Sequence, residues 1–96
     1  MSIYRIGQMK ARDGEEEALR QFVEVIIMPG IETSAGNLSC QIYESQEAPG
    51  TFMIVEEWEN VEAHKASVKN ISPDDIQTIM KLLADSPAGS YYSRLN

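Results

Sequence analysis

The chain has 96 residues, a length that suits one domain with one hydrophobic core. Its formal net charge is −7 at pH 7, and its eight basic residues are scattered. This charge argues against nucleic-acid and anionic membrane partners, because both require clustered lysine and arginine. Neither a signal-peptide core nor an apolar run of about 18 residues is present, so we expect a cytoplasmic protein.

The first half of the chain predicts a strand followed by a helix. Residues 3–11 alternate in hydrophobicity, which is typical of a strand, with Arg5 on one of its faces. Asp13 and Glu16 then have the spacing of a capping box, which predicts the helix start. Pro29 and Gly30 should break or kink this helix near residue 27 or 28. An apolar stripe follows the cap at helical spacing: Leu19, Phe22, Val23, Ile26 and Ile27.

The second half predicts three further strands and two helices. Residues 38–44 and 51–58 form two strands joined by a hairpin loop, and residues 90–95 form the last strand. Asn60 is placed to cap a helix that begins directly after the third strand. Ser72 is placed to cap the final helix, with proline at the first helical position.

The element order is therefore β-α-β-β-α-β, which predicts an α+β, ferredoxin-like fold in one domain over residues 1–96. In this fold a four-stranded antiparallel sheet carries helices on one face. The strands are apolar on both faces, so we expect a homodimer that covers the open sheet face. In the third strand, the Phe52/Trp58 face and the Met53/Val55 face should serve different partners. The pattern leaves open which of the two meets the helices.

Three segments of the chain together resemble the antibiotic biosynthesis monooxygenase family of small dimeric α/β-barrel proteins. They are Gly14-Glu-Glu-Glu-Ala18-Leu, Gly36-Asn-Leu-Ser-Cys-Gln-Ile-Tyr-Glu44, and Phe52-Met-Ile-Val-Glu-Glu-Trp58 with Glu62-Ala63-His64. The resemblance implies a pocket between sheet and helices near the end of strand three. It also implies oxidation of small phenols or quinols by molecular oxygen, with no metal or flavin cofactor.

The chain departs from the family pattern at two places. Many members carry a histidine about nine residues after the strand-three aromatic residue, where this chain has Ser67. The haem-degrading relatives have an asparagine in strand one and a histidine about ten residues beyond the tryptophan. This chain has no such asparagine and carries Val68 at the second position, which argues against haem degradation.

The only tryptophan and the only histidine are the two catalytic candidates. Trp58 can stack on a flat substrate and offer its indole N–H as a donor. His64 is the only side chain that titrates near neutral pH without perturbation, and it can generate a substrate anion that reacts with oxygen. With one histidine and one cysteine, Cys40, no metal site is expected. Cys40 itself is typical of a small buried residue.

Several other side chains are candidates for substrate binding. Arg5 can pair with a developing oxyanion or with Glu56. The tyrosine hydroxyls can orient a substrate oxygen. The candidate substrate-binding residues are Arg5, Phe22, Tyr43, Met53 and Tyr92, with Tyr91 as a further candidate hydroxyl.

Three functions remain open from the sequence. The first is a cofactor-independent monooxygenase acting on a small aromatic or quinol-like substrate. The second is a dimer that binds a small hydrophobic or aromatic molecule without chemistry, which Ser67 at the family's histidine position favours. The third is a cofactor-free isomerase or decarboxylase of a small metabolite. The sequence alone does not identify a substrate.

Overall fold

A four-stranded antiparallel sheet with helices on one face makes up the protein in a computed structural model that describes residues 1–96. The strands lie in the order β2-β3-β1-β4, which confirms the predicted ferredoxin-like α+β fold. They are β1 (Ile3–Lys10), β2 (Asn37–Glu44), β3 (Thr51–Trp58) and β4 (Ala88–Tyr92). The helices are α1 (Glu16–Phe22), α2 (Met28–Glu32), α3 (Val61–Lys69) and α4 (Pro73–Leu82), with a π-helical turn (Val23–Ile27) joining α1 to α2.

Strand β3 shows which sheet face meets the helices. Phe52, Ile54, Glu56 and Trp58 are all buried, whereas Met53 on the opposite face is 45% exposed. Because side chains alternate along a strand, one face of the whole sheet is covered by helices and the other is open. The alternation predicted from sequence is therefore present, and the structure assigns its two faces.

The first helix begins and continues differently from the prediction. Glu15 is the N-cap of α1, no side chain caps it, and the predicted capping box at Asp13 does not form. Pro29 does not end the helix, because a π-helical turn precedes it and the N–H of Met28 donates to the carbonyl of Val23. This wider turn accommodates the hydrogen bond that proline cannot donate, so the helix reaches Glu32.

The caps predicted for the two later helices are confirmed. The side chain of Asn60 accepts from the N–H of Ala63 at 2.8 Å, and the side chain of Ser72 accepts from the N–H of Asp75 at 3.1 Å. Gly36 lies against the start of α3 with a φ of +85°, and a Cβ there would lie 2.6 Å from the Cβ of Ala63. This close contact fixes α3 against the start of β2. No helix is long and apolar enough to cross a membrane.

The two ends of β3 have different surroundings. At its start, Phe52 packs in an apolar core with residues from the first helix and from the segments that follow β1 and α4: Ala11, Leu19, Val23 and Leu83. At its end, Trp58 is buried beside polar and charged side chains. Strand β4 spans Ala88–Tyr92 and not residues 90–95 as predicted, since its pairing with β1 runs from Ala88 to Tyr92. The start of β3 is thus packed among apolar side chains, and its end lies beside polar and charged ones.

Candidate active site

A row of four side chains crosses the helix-covered face of the sheet near the end of β3. Cys40 pairs with Glu56, Glu56 pairs with Arg5, and Arg5 pairs with Tyr91, each on the neighbouring strand. Directly opposed residues in antiparallel strands have Cβ atoms about 5 Å apart, so these side chains are neighbours on one face. The sheet register therefore assembles a carboxyl group, a guanidinium and a phenol from three strands.

Helix α3 places His64 against this row. The Asn60 cap starts the helix two residues after β3 ends, and His64 follows one turn later. The Nδ1 atom of His64 lies 2.7 Å from the hydroxyl oxygen of Tyr91. The imidazole also makes edge contacts with Trp58 and Tyr91, with ring centroids 5.5 and 5.4 Å away. His64 is half-buried between two aromatic rings, which restricts its orientation.

Trp58 forms the base of the cluster and is fully buried, with 0% exposure. Its indole N–H donates to Oε1 of Glu56 at 2.9 Å, so this donor is already engaged within the protein. Glu56 is also buried, and burial raises the pKa of its carboxyl group although Trp58 and Arg5 lower it. Trp58 therefore supports the His64 ring through an edge contact, while its indole N–H is bonded to Glu56.

Arg5 lies over the ring of Tyr91, with its guanidinium carbon 4.9 Å from the ring centroid. Gly89 makes this placement possible, since a Cβ there would lie 2.8 to 2.9 Å from the guanidinium atoms. Neither of the two ion pairs in the structure includes Arg5; both belong to Arg20. The half-buried guanidinium consequently has hydrogen-bond donors available for an external anionic oxygen.

The protonation state of His64 follows from the same surroundings. Burial lowers its pKa below the usual 6.5, and the positive charge of Arg5 lowers it further. The imidazole is thus neutral at pH 7 and can accept a proton. Burial raises the pKa of the Cys40 thiol to about 11, with smaller contributions from Glu56 and Glu32. Cys40 is therefore protonated at neutral pH and is no thiolate nucleophile.

The structure brings together only part of the predicted site. Trp58, His64 and Arg5 meet, and Tyr91 joins them. Three substrate-binding candidates, Tyr43, Met53 and Tyr92, lie on the open face of the sheet with exposures of 56, 45 and 51%, away from His64.

The physical reason is strand alternation. Tyr91 pairs with Arg5 on the helix-covered face, so Tyr92 necessarily points to the other side. Phe22, the last predicted residue, ends α1 and is half-buried there. The pairing register of β4 decides which of the two adjacent tyrosines faces the helices, and no local sequence pattern specifies that register.

Two open cavities lie apart from this cluster. One, of about 440 Å³, is on the open face and is lined by Tyr4, Ile6, Tyr92, Ser93 and Arg94. The other, of about 510 Å³, lies between helix and sheet near the start of β3. It is lined in part by Arg20 and Glu44, which form an ion pair. No cluster of three or more histidine, cysteine, aspartate or glutamate side chains could hold a metal ion.

Comparison with solved structures places the fold in a well-populated structural class. A protein from Nitrosomonas europaea, named as a candidate antibiotic biosynthesis monooxygenase, matches with a TM-score of 0.86 and 17% identity. The match covers 98% of this chain and 90% of that chain. A protein from Mycobacterium tuberculosis matches with a TM-score of 0.81 and 21% identity, over 100% of this chain and 97% of that chain. At these identities the likeness shows the fold alone.

The sequence itself defines the family. The family model described as antibiotic biosynthesis monooxygenase matches residues 2–81, so the chain belongs to the antibiotic biosynthesis monooxygenase family. A Deinococcus radiodurans protein, also named as a candidate monooxygenase of this kind, shares 25% identity with a TM-score of 0.79. That match covers 100% of this chain and 94% of that chain. No curated protein matches the sequence.

Proposed function

We propose that the protein is a cofactor-independent monooxygenase that oxidises a small phenol or quinol-like molecule with molecular oxygen. Family membership supports the reaction class, and the cluster of His64, Tyr91 and Arg5 supports the site. One observation carries the proposal. A neutral histidine and a guanidinium outside any ion pair both contact Tyr91, so a proton acceptor and an anion-stabilising group lie around one phenol.

His64 and Arg5 would have separate roles in the reaction. His64 accepts the substrate's phenolic proton, and Arg5 stabilises the resulting oxyanion. The electron-rich anion transfers one electron to oxygen, and the substrate radical and superoxide recombine to form a peroxide at a ring carbon. Loss of water from the peroxide leaves a quinone. One oxygen atom enters the product, the other leaves as water, and two substrate hydrogens are consumed, so the step balances without another reductant.

Oxygen uptake with a panel of phenols and hydroquinones tests this proposal. We expect His64→Ala to lower kcat/KM about 100-fold, because removal of a positioned general base has an effect of this order. Lys65→Ala is the matched control, since Lys65 is the exposed neighbour of His64 on α3. Uptake no greater than that of a protein-free solution, or equal uptake in wild type and His64→Ala, would contradict the proposal.

The pH dependence of oxygen uptake has a defined direction. Since the pKa of His64 is lowered below 6.5, the proton-accepting form persists at pH 6.5. We expect kcat/KM to fall as the pH is lowered, with a midpoint below pH 6.5. The folded state also resists protonation of His64, so this residue's contribution to stability is lost as pH falls from 6.5 through its folded pKa. A decline centred above pH 6.5 would be inconsistent with His64 as the base.

A non-catalytic binding dimer is the second candidate function. The full burial of Trp58 and the engagement of its indole N–H favour it. The ring is not available to stack on a substrate, and the N–H is not available to donate to one. Ser67, at the family's histidine position, donates to the carbonyl of His64 at 2.7 Å and supplies no base. Recovery of a tightly bound phenol unchanged after incubation in air would support binding without chemistry.

We further propose that the whole chain, residues 1–96, forms one domain that pairs with a second copy through its open sheet face. Tyr43, Met53 and Tyr92 expose large apolar area there, and the 440 Å³ cavity adds a concave surface beside Tyr92. We expect Met53→Lys to shift the molecular mass in light scattering from twice that of the chain toward that of the monomer. Val25→Lys is the control, because Val25 is 66% exposed on the first helix. A monomeric wild type would contradict this interface.

A further inference from the structure

We infer that the hydroxyl group of Tyr91 relays the substrate's proton to His64, so that the phenol of Tyr91 is the group that touches the reacting oxygen. This inference deepens the proposed monooxygenase function and rests on it. It assigns a catalytic role to a residue of the last strand and defines the substrate as a molecule with an acidic hydroxyl.

The Nδ1 atom of His64 is occupied by Tyr91. The two heavy atoms are 2.7 Å apart, which is a short distance for a hydrogen bond between neutral groups. A substrate therefore has no direct access to Nδ1 while this bond exists. Neutral imidazole carries one proton, so a tyrosine hydroxyl that donates to Nδ1 leaves the proton on Nε2. In that tautomer the basic atom of His64 faces Tyr91, and substrate protons reach it only through the hydroxyl.

Arg5 makes Tyr91 suitable for this transfer. Its guanidinium lies 4.9 Å from the centre of the Tyr91 ring, so it favours negative charge that develops on the phenol oxygen during proton transfer. Arg5 is also paired with Tyr91 on the neighbouring strand, so both side chains lie on the same face of the sheet. An oxyanion that approaches Tyr91 would therefore be stabilised by the same cation. Glu56, the other titratable group beside Arg5, donates nothing to Tyr91 and accepts from Trp58.

The proton transfer involves three groups, the substrate hydroxyl, Tyr91 and His64, and conserves the number of protons. The substrate O–H bond breaks and a new O–H bond forms on Tyr91. The original O–H bond of Tyr91 breaks and an N–H bond forms on Nδ1 of His64. The products are the substrate oxyanion, neutral Tyr91 and an imidazolium. When the peroxide loses water, the proton on Nδ1 returns through Tyr91 to the departing oxygen, which restores the Nε2–H tautomer.

The single histidine allows a test that does not depend on turnover. Nitrogen-detected NMR of the labelled protein shows one imidazole, and its couplings identify which nitrogen carries the proton. We expect the Nε2–H tautomer in wild type. We expect Tyr91→Phe, which keeps the ring under Arg5, to weaken that preference and to raise the pKa of His64, because a donor to the neutral form is lost. An Nδ1–H tautomer in wild type would overturn the relay, whatever the oxygen uptake.

Turnover supplies the second readout. We expect Tyr91→Phe and His64→Ala each to lower kcat/KM about 100-fold, and the double variant to be no worse than either, because both act in one transfer. Wild-type turnover in Tyr91→Phe with loss in His64→Ala would overturn the relay and leave the monooxygenase standing. Absence of oxygen uptake together with the Nε2–H tautomer would instead overturn the monooxygenase and leave the Tyr91–His64 pair supported.

Discussion

Trp58→Ala is expected to lower the free energy of unfolding by about 3 to 5 kcal/mol, the range for removing a large buried aromatic side chain. Trp58 is fully buried, so its truncation leaves a cavity in the packed interior. The substitution also removes the donor to Glu56 and leaves a buried carboxyl group without that partner. Since a domain of this size has a total free energy of unfolding of about 5 to 15 kcal/mol, the substitution removes a large part of the stability.

Urea denaturation followed by circular dichroism measures this effect, because the variant lacks the only tryptophan and has no indole fluorescence. Trp58→Phe separates the two contributions. It fills most of the volume but removes the N–H, so we expect a smaller loss and a further rise in the pKa of Glu56. Val25→Ala, at a 66% exposed position, should change stability by less than about 0.5 kcal/mol. An equally small change in Trp58→Ala would refute the supporting role of Trp58.

Arg5→Met is expected to lower kcat about 100-fold to 1000-fold, the effect of removing one group that stabilises an oxyanion. Methionine retains the unbranched stem without the charge. The positive charge of Arg5 lowers the pKa of both His64 and Glu56, so the substitution should raise both pKa values. Steady-state oxygen uptake and NMR titration of the single histidine give the two readouts.

Gly89→Ala tests the position of Arg5 without changing its charge. The added Cβ would lie 2.8 to 2.9 Å from the guanidinium, which forms the flexible end of a side chain, so the guanidinium must move away from Tyr91. We expect a partial loss of turnover with little loss of stability. Gly30→Ala is the matched control, because an added Cβ there would meet no atom within 4 Å beyond its own helix backbone and chain neighbours. Unchanged turnover in both Gly89→Ala and Arg5→Met would exclude an oxyanion role for Arg5.

The fold was predictable from sequence because its signals are local. Alternating apolar residues, the Asn60 and Ser72 caps and the element order each depend on near neighbours, and the structure confirms them. The errors came where a local signal competed with packing. Pro29 predicts a break or kink near residue 27 or 28, and a π-helical turn interrupts the α-helix there without ending it. The predicted capping box at Asp13 does not form, and α1 begins at Glu16.

The candidate site was only half predictable for a different reason. His64 and Trp58 stand out because each is unique in the chain, and their closeness follows from one strand and one helix. The meeting of Arg5 with Tyr91 depends on the register between β1 and β4, which are about 85 residues apart in sequence. Neither the hydrogen bond of Tyr91 to His64 nor the close approach at Gly89 has a local marker.

The measurement that tests the proposed oxygenation most directly is mass analysis of the product formed under ¹⁸O₂ from a phenol that supports oxygen uptake. We expect one ¹⁸O atom in each molecule of quinone formed by wild type, and loss of labelled product in His64→Ala. Turnover that persists without oxygen, or a product that carries no label, would show that the cluster of Arg5, His64 and Tyr91 does not perform monooxygenation.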